Sequence, residues 1–141
     1  MMGDEEMKRP HKRHHRAGAV AVEFAIAAPV LFLFVFASVE FSRVNMIRNT
    51  IENAAYEGAR SGVLPGATAA KCAAAAQDLL DTVGIADSAV TVTPPVILAD
   101  TEEVTVAVEV PMTMANGYIT PTYYLGRSLR TSVTLPRETG T

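Results

Sequence analysis

The stretch AVAVEFAIAAPVLFLFVFASV, Ala19–Val39, decides how the rest of this 141-residue chain is read. Its 21 residues carry one ionisable side chain, Glu23. As a helix rising 1.5 Å per residue it spans about 31 Å, close to the roughly 30 Å hydrocarbon core of a bilayer. Length and composition therefore predict one transmembrane helix. Glu23 is the anomaly in it. A charge within hydrocarbon costs roughly 2.5–3.5 kcal/mol on insertion scales, so such a residue marks a functional position by default.

N-terminal to the span, Met1–Gly18 is polar and basic. Lys8, Arg9, Lys12, Arg13 and Arg16 stand against Asp4, Glu5 and Glu6, a net +2, whereas Ala19–Thr141 has seven basic and twelve acidic residues, a net −5. Basic residues this close to a span hold their side in the cytoplasm. The expectation is an inner-membrane, single-pass protein with residues 1–18 as a disordered cytoplasmic leader and everything after Val39 extracytoplasmic. His11, His14 and His15 lack the carboxylate or thiol partners and the fixed geometry of a metal site. The single cysteine, Cys72, excludes an internal disulfide. It reads as a buried thiol in an alanine-rich segment, with an intermolecular bridge left open.

C-terminal to the span the pattern becomes periodic. Val44, Ile47, Ile51, Ala54, Ala55 and Gly58 fall on one helical face, and Arg43, Asn45, Arg48, Asn49, Glu52, Asn53, Glu57 and Arg60 on the others. Arg48 and Glu52, and Glu57 and Arg60, are placed to pair across a turn. The helix is expected to continue to about Ser61, making a rod of about 65 Å, with Gly62 as a left-handed cap and Pro65 as a stop. Residues 40–62 thus read as an amphipathic stalk and 63–141 as a small head. A second helix is expected over Thr68–Val83, with Thr68 as N-cap and Gly84 at its end. Period-two alternation then marks strands at Glu103–Val110 and Leu129–Leu135, and a weaker one at Ala89–Thr93. Pro111–Gly126, with an Asn-Gly pair and three tyrosines, reads as a long loop. The fold class is α+β: a long N-terminal helix, a short helix and a small antiparallel sheet.

Catalytic motifs are missing from this pattern. No histidine follows His15, and no phosphate-binding glycine loop, nucleophile elbow or Cys/His ligand spacing occurs. Asp78, Asp81, Asp87, Asp100, Glu102 and Glu103 fall at element ends and turns, as solvated charges do. The reading is therefore non-enzymatic, with no cofactor, metal, nucleic acid or small-molecule substrate.

The apolar run is too long for a secretory signal peptide and lacks a small-x-small site at its far end. Cleavage on its near side, between Gly18 and Ala19, would instead create a new α-amine and make Glu23 the fifth residue. A basic leader ending in glycine, then glutamate, an aromatic and about 20 apolar residues resembles the signal of type IV pilins and pseudopilins. Gly18, Glu23-Phe24, Pro29, Glu40-Phe41 with Arg43, and NAAYEGAR at Asn53–Arg60 together resemble the TadE-like family of minor pilins from tight-adherence, Flp-type pilus systems. The resemblance spans about Arg16–Ser61. It implies a pilin-like fold and processing by a prepilin peptidase at Gly18 and Ala19. It also implies recognition and assembly through Glu23 and Phe24, and partners among other pilin or pseudopilin subunits and the assembly platform. Glu40, Phe41 and Arg43 mark the far membrane boundary. Two rival readings remain: an unprocessed single-span protein with a partner-binding head, and a type II secretion pseudopilin.

Overall fold

A computed structural model describes residues 14–117 and 126–137, with side chains from Gly18 onward. The chain divides into two compact units, Met1–Ser38 and Val39–Thr141. Helix α1, His14–Val63, contributes to both.

In the first unit α1 carries the apolar run. Its alanines and leucines favour a helix, and its valines and phenylalanines accept one because a helix is the one open structure that satisfies its backbone polar groups within itself in lipid. The helix begins five residues before the expected Ala19 and runs through Gly18. A lone helical glycine costs only about 1 kcal/mol. Pro29 lies inside the helix without ending it. Ser38 Oγ donates to Phe34 O at 2.8 Å, so this hydroxyl is satisfied within the helix.

In the second unit the rest of α1 is joined by α2 (Ala69–Val83) and by strands β1 (Ala89–Thr93), β2 (Glu103–Pro111) and β3 (Ser128–Pro136). The sheet is antiparallel in the order β1-β2-β3. Val90 and Val92 pair with Val108 and Val106, and Val104, Val106 and Val110 pair with Leu135, Val133 and Leu129. Directly opposed residues share a face, so these form one apolar side of the sheet. The other side is polar, with Thr105 and Thr134 sharing a hydroxyl hydrogen bond of 2.8 Å.

Ile47, Ile51, Ala54, Ala55 and Ala59 of α1, Cys72, Ala76 and Leu80 of α2, and the β2 valines make up the core. Residues read as a separate stalk are thus part of the head. An amphipathic face needs a partner surface, and α2 and the sheet supply it.

Two helix ends show what local chemistry decides. Thr68 Oγ1 accepts from Lys71 N at 3.3 Å, as an N-cap does. Gly84, with φ 75°, donates to Asp81 O, and Ile85 N donates to Leu80 O at 3.1 Å, so α2 closes as a Schellman motif with Leu80 and Ile85 both buried.

The end of α1 differs from expectation. Gly62 is helical, the helix runs to Val63, and the left-handed residue is Gly66, φ 74°. Ala67 N donates to Leu64 O at 3.1 Å, giving a turn with proline then positive-φ glycine at its centre, the type II pattern. Gly62 serves packing instead: a Cβ there would lie 2.8 Å from Val104 Cγ1 and 3.2 Å from Cys72 Sγ. One turn earlier, a Cβ on Gly58 would meet Cys72 O at 2.9 Å and Val106 Cγ1 at 3.1 Å. The two glycines let α1 approach α2 and β2 closely.

Candidate functional site

The apolar half of α1 presents a shallow groove lined by Glu23, Ile26, Ala27, Val30, Leu31 and Phe34. Their spacing of i, i+3, i+4, i+7, i+8 and i+11 sets them along one side of a helix. Glu23 is the one charge-bearing residue among them. Gly18 and Ala19 lie about a turn earlier, both exposed, and Ala19 is four residues before Glu23, on the same face. Phe24 is 70% exposed. A Cβ placed on Gly18 meets nothing within 4 Å, so this glycine has no packing duty in the fold.

From Gly18 to Phe36 every large apolar side chain is exposed, including Val20, Ile26, Leu33 and Phe34. A continuous apolar surface of this length belongs against lipid or another protein, since monomers in water rarely expose such patches. Among the described residues α1 is the one helix long and apolar enough to cross a membrane, as in a single-pass membrane protein. Chemically the groove can receive a second helix or acyl chains, and its carboxylate can take a cation that enters with them.

Glu40, Phe41 and Arg43 belong to the second unit. Phe41 is 69% exposed. Arg43 reaches into the head, where its Nε donates to Asn116 O at 2.7 Å. The sequence sets Arg43 at the far membrane boundary and gives no hint of this contact, whose partners are 73 positions apart.

Asn116 is the residue that sequence reasoning misses. It is 1% exposed, and its side chain is fully engaged. Oδ1 accepts from Ala86 N at 2.8 Å, and Nδ2 donates to Ala86 O at 2.8 Å and to Pro111 O at 3.0 Å. One side chain thus ties the α2–β1 connection to the end of β2, while its backbone carbonyl holds α1. The Asn-Gly dipeptide signals a turn; only the folded chain shows the amide turned inward. Tyr118, Tyr123 and Tyr124, counted in the expected loop, lie outside the described residues.

Cys72 is a buried free thiol. Desolvation raises its pKa above the ordinary thiol value, against smaller opposing contributions from a backbone hydrogen bond and the charge of Arg137. An intermolecular disulfide through this residue requires the head to open first. Asp78, Asp81, Asp87, Asp100, Glu102 and Glu103 are all exposed.

The model of the TadE-like protein family matches residues 18–60. This is under a third of the chain, and it takes in Gly18, Glu23, Glu40, Arg43 and the NAAYEGAR stretch. The resemblance carried by these residues is shown over that segment, and it suggests a Tad-pilus-associated protein. No curated protein and no solved structure matches the chain.

Proposed function

From the premise of a TadE-like segment at residues 18–60, we propose that this protein is a non-enzymatic minor pilin or pseudopilin subunit of a tight-adherence pilus. In this reading its leader lies in the cytoplasm and its head outside the inner membrane. A prepilin peptidase cuts after Gly18, and the mature chain joins other subunits or the assembly platform through α1, supporting pilus assembly or adhesion.

The observation that carries the reading is the Glu23 groove: an exposed apolar stripe whose single carboxylate lies one turn from Ala19. Once cut, Ala19 bears an ammonium. Paired in low dielectric with Glu23 of a neighbouring subunit, it offsets two desolvation costs, and does so only at one axial stagger. The carboxylate then specifies register, and the apolar residues supply contact area.

One feature favours the unprocessed single-span reading. Gly18 and Ala19 lie within α1, so a peptidase must unwind its first turns to reach the bond. N-terminal sequencing of the membrane-derived protein separates the two. Ala19 as the first residue is expected, and an intact Met1 would overturn the pilin reading. Gly18→Ala should retain the leader while leaving the fold intact, because its added methyl meets open space. Glu23→Gln, nearly isosteric but uncharged, should be cleaved yet fail to enter filaments; normal incorporation would remove Glu23 from assembly.

A further inference from the structure

Asn116 is followed by Gly117, and that pair carries a chemistry of its own. In Asn-Gly the glycine nitrogen has no side chain beside it to obstruct its approach to the asparagine side chain. The Gly117 amide nitrogen, giving up its proton, attacks Asn116 Cγ. The bond from Cγ to Nδ2 breaks, ammonia leaves, and a succinimide closes. Water then opens the ring at either carbonyl, giving aspartate or isoaspartate. The step consumes one water, releases one ammonia, and needs no oxidant or reductant.

In the folded head the attack is held off. The Asn116 side chain makes three hydrogen bonds, to Ala86 N, Ala86 O and Pro111 O. Its own N–H donates to Thr113 O at 3.0 Å, and its carbonyl is held by Arg43. Swinging Cγ toward Gly117 N means breaking contacts that are sealed from water.

We propose that Asn116–Gly117 is a modification site, a deamidation site that the fold holds shut and whose conversion unfastens the head. The product cannot simply take the place of the amide. A carboxylate donates to neither Ala86 O nor Pro111 O: Ala86 O loses this donor, Pro111 O is left with Thr113 N, and repulsion from the two oxygens draws the new group off Ala86 N as well. Isoaspartate also inserts an extra methylene into the main chain and displaces the carbonyl that Arg43 grips. Because ammonia is lost, the change runs one way. A head that opens, even locally, records the event in covalent form.

The test uses the full chain in detergent micelles at mildly alkaline pH, with peptide mapping of residue 116 over time. Conversion in the native chain should be at least about tenfold slower than in the urea-denatured chain, because buried hydrogen bonds must open before attack. Arg43→Ala, which removes one grip on the turn, should speed it, and Gly117→Ala should suppress it in both states. In aged wild-type protein the converted fraction should show faster hydrogen exchange at Ala86 than the unconverted fraction. Equal rates in native and denatured chains would overturn the proposal, as would unchanged exchange at Ala86 after conversion. Both readouts use the wild-type protein, so neither depends on whether a variant folds.

Discussion

At the scale of single residues, the same side-chain type does opposite work in different surroundings. Gly18 is open on every side, Gly58 and Gly62 are wedged against α2 and β2, and Gly66 and Gly84 adopt positive φ where a side chain would be strained. Only the last use follows from local sequence, through the neighbouring proline or the end of an apolar periodicity. Cys72, read from the sequence as a buried thiol in an alanine-rich segment, is buried in the fold. Its raised pKa means that the unfolded chain ionises first as pH rises. The stability it contributes is therefore complete below the ordinary thiol pKa of about 8.5 and fades as pH climbs toward the higher folded value. Thermal melts of wild type and Cys72→Ala should converge, or cross, on the alkaline side. In the native state Cys72 should react with alkylating reagents only at the rate of opening.

At the scale of elements, α1 is one helix with two kinds of surface. Its apolar half exposes its side chains all round, and its periodic half buries Ile47, Ile51, Ala54, Ala55 and Ala59. The strands were legible because alternation reports one buried face. β2 follows it strictly, with Val104, Val106, Val108 and Val110 buried and the residues between them not. The Arg48–Glu52 and Glu57–Arg60 pairs form at 3.4 and 3.5 Å, both exposed, and contribute little. The close approach at the glycines matters more. Gly58→Ala, although it improves helix propensity, should destabilise the head by about 1–3 kcal/mol through overpacking against Cys72 O and Val106. Ile51→Ala should cost about 2–5 kcal/mol by leaving a cavity. Denaturant melts of the detergent-solubilised protein measure both, and a Gly58→Ala variant as stable as wild type would refute the packing role of that glycine.

At the scale of the whole molecule, the two units meet different solvents. The head buries its apolar face in the usual manner, whereas the first 20 or so residues after Gly18 bury almost nothing within the chain. An arginine introduced at Val30, in the middle of the groove, should oppose membrane insertion by roughly 2.5–3.5 kcal/mol. Alkaline extraction should then release a larger fraction of the protein from membranes. Wild-type retention of the variant would argue against α1 as the span.

The sequence by itself determined the elements whose cause is local: the apolar length of α1, the Thr68 cap and Gly84 end of α2, the period-two strands, and the glycine-to-glutamate spacing that marks the candidate assembly face. Each depends on residues within a few turns of one another, so a linear reading contains the physics. Tertiary structure alone decided that residues 47–59 enter the core, that Gly62 packs rather than caps, and that Asn116 clasps Ala86, Pro111 and Arg43. Those outcomes arise between residues tens of positions apart. Burial and hydrogen-bond partners come into being only when the sheet, α2 and α1 close on one another.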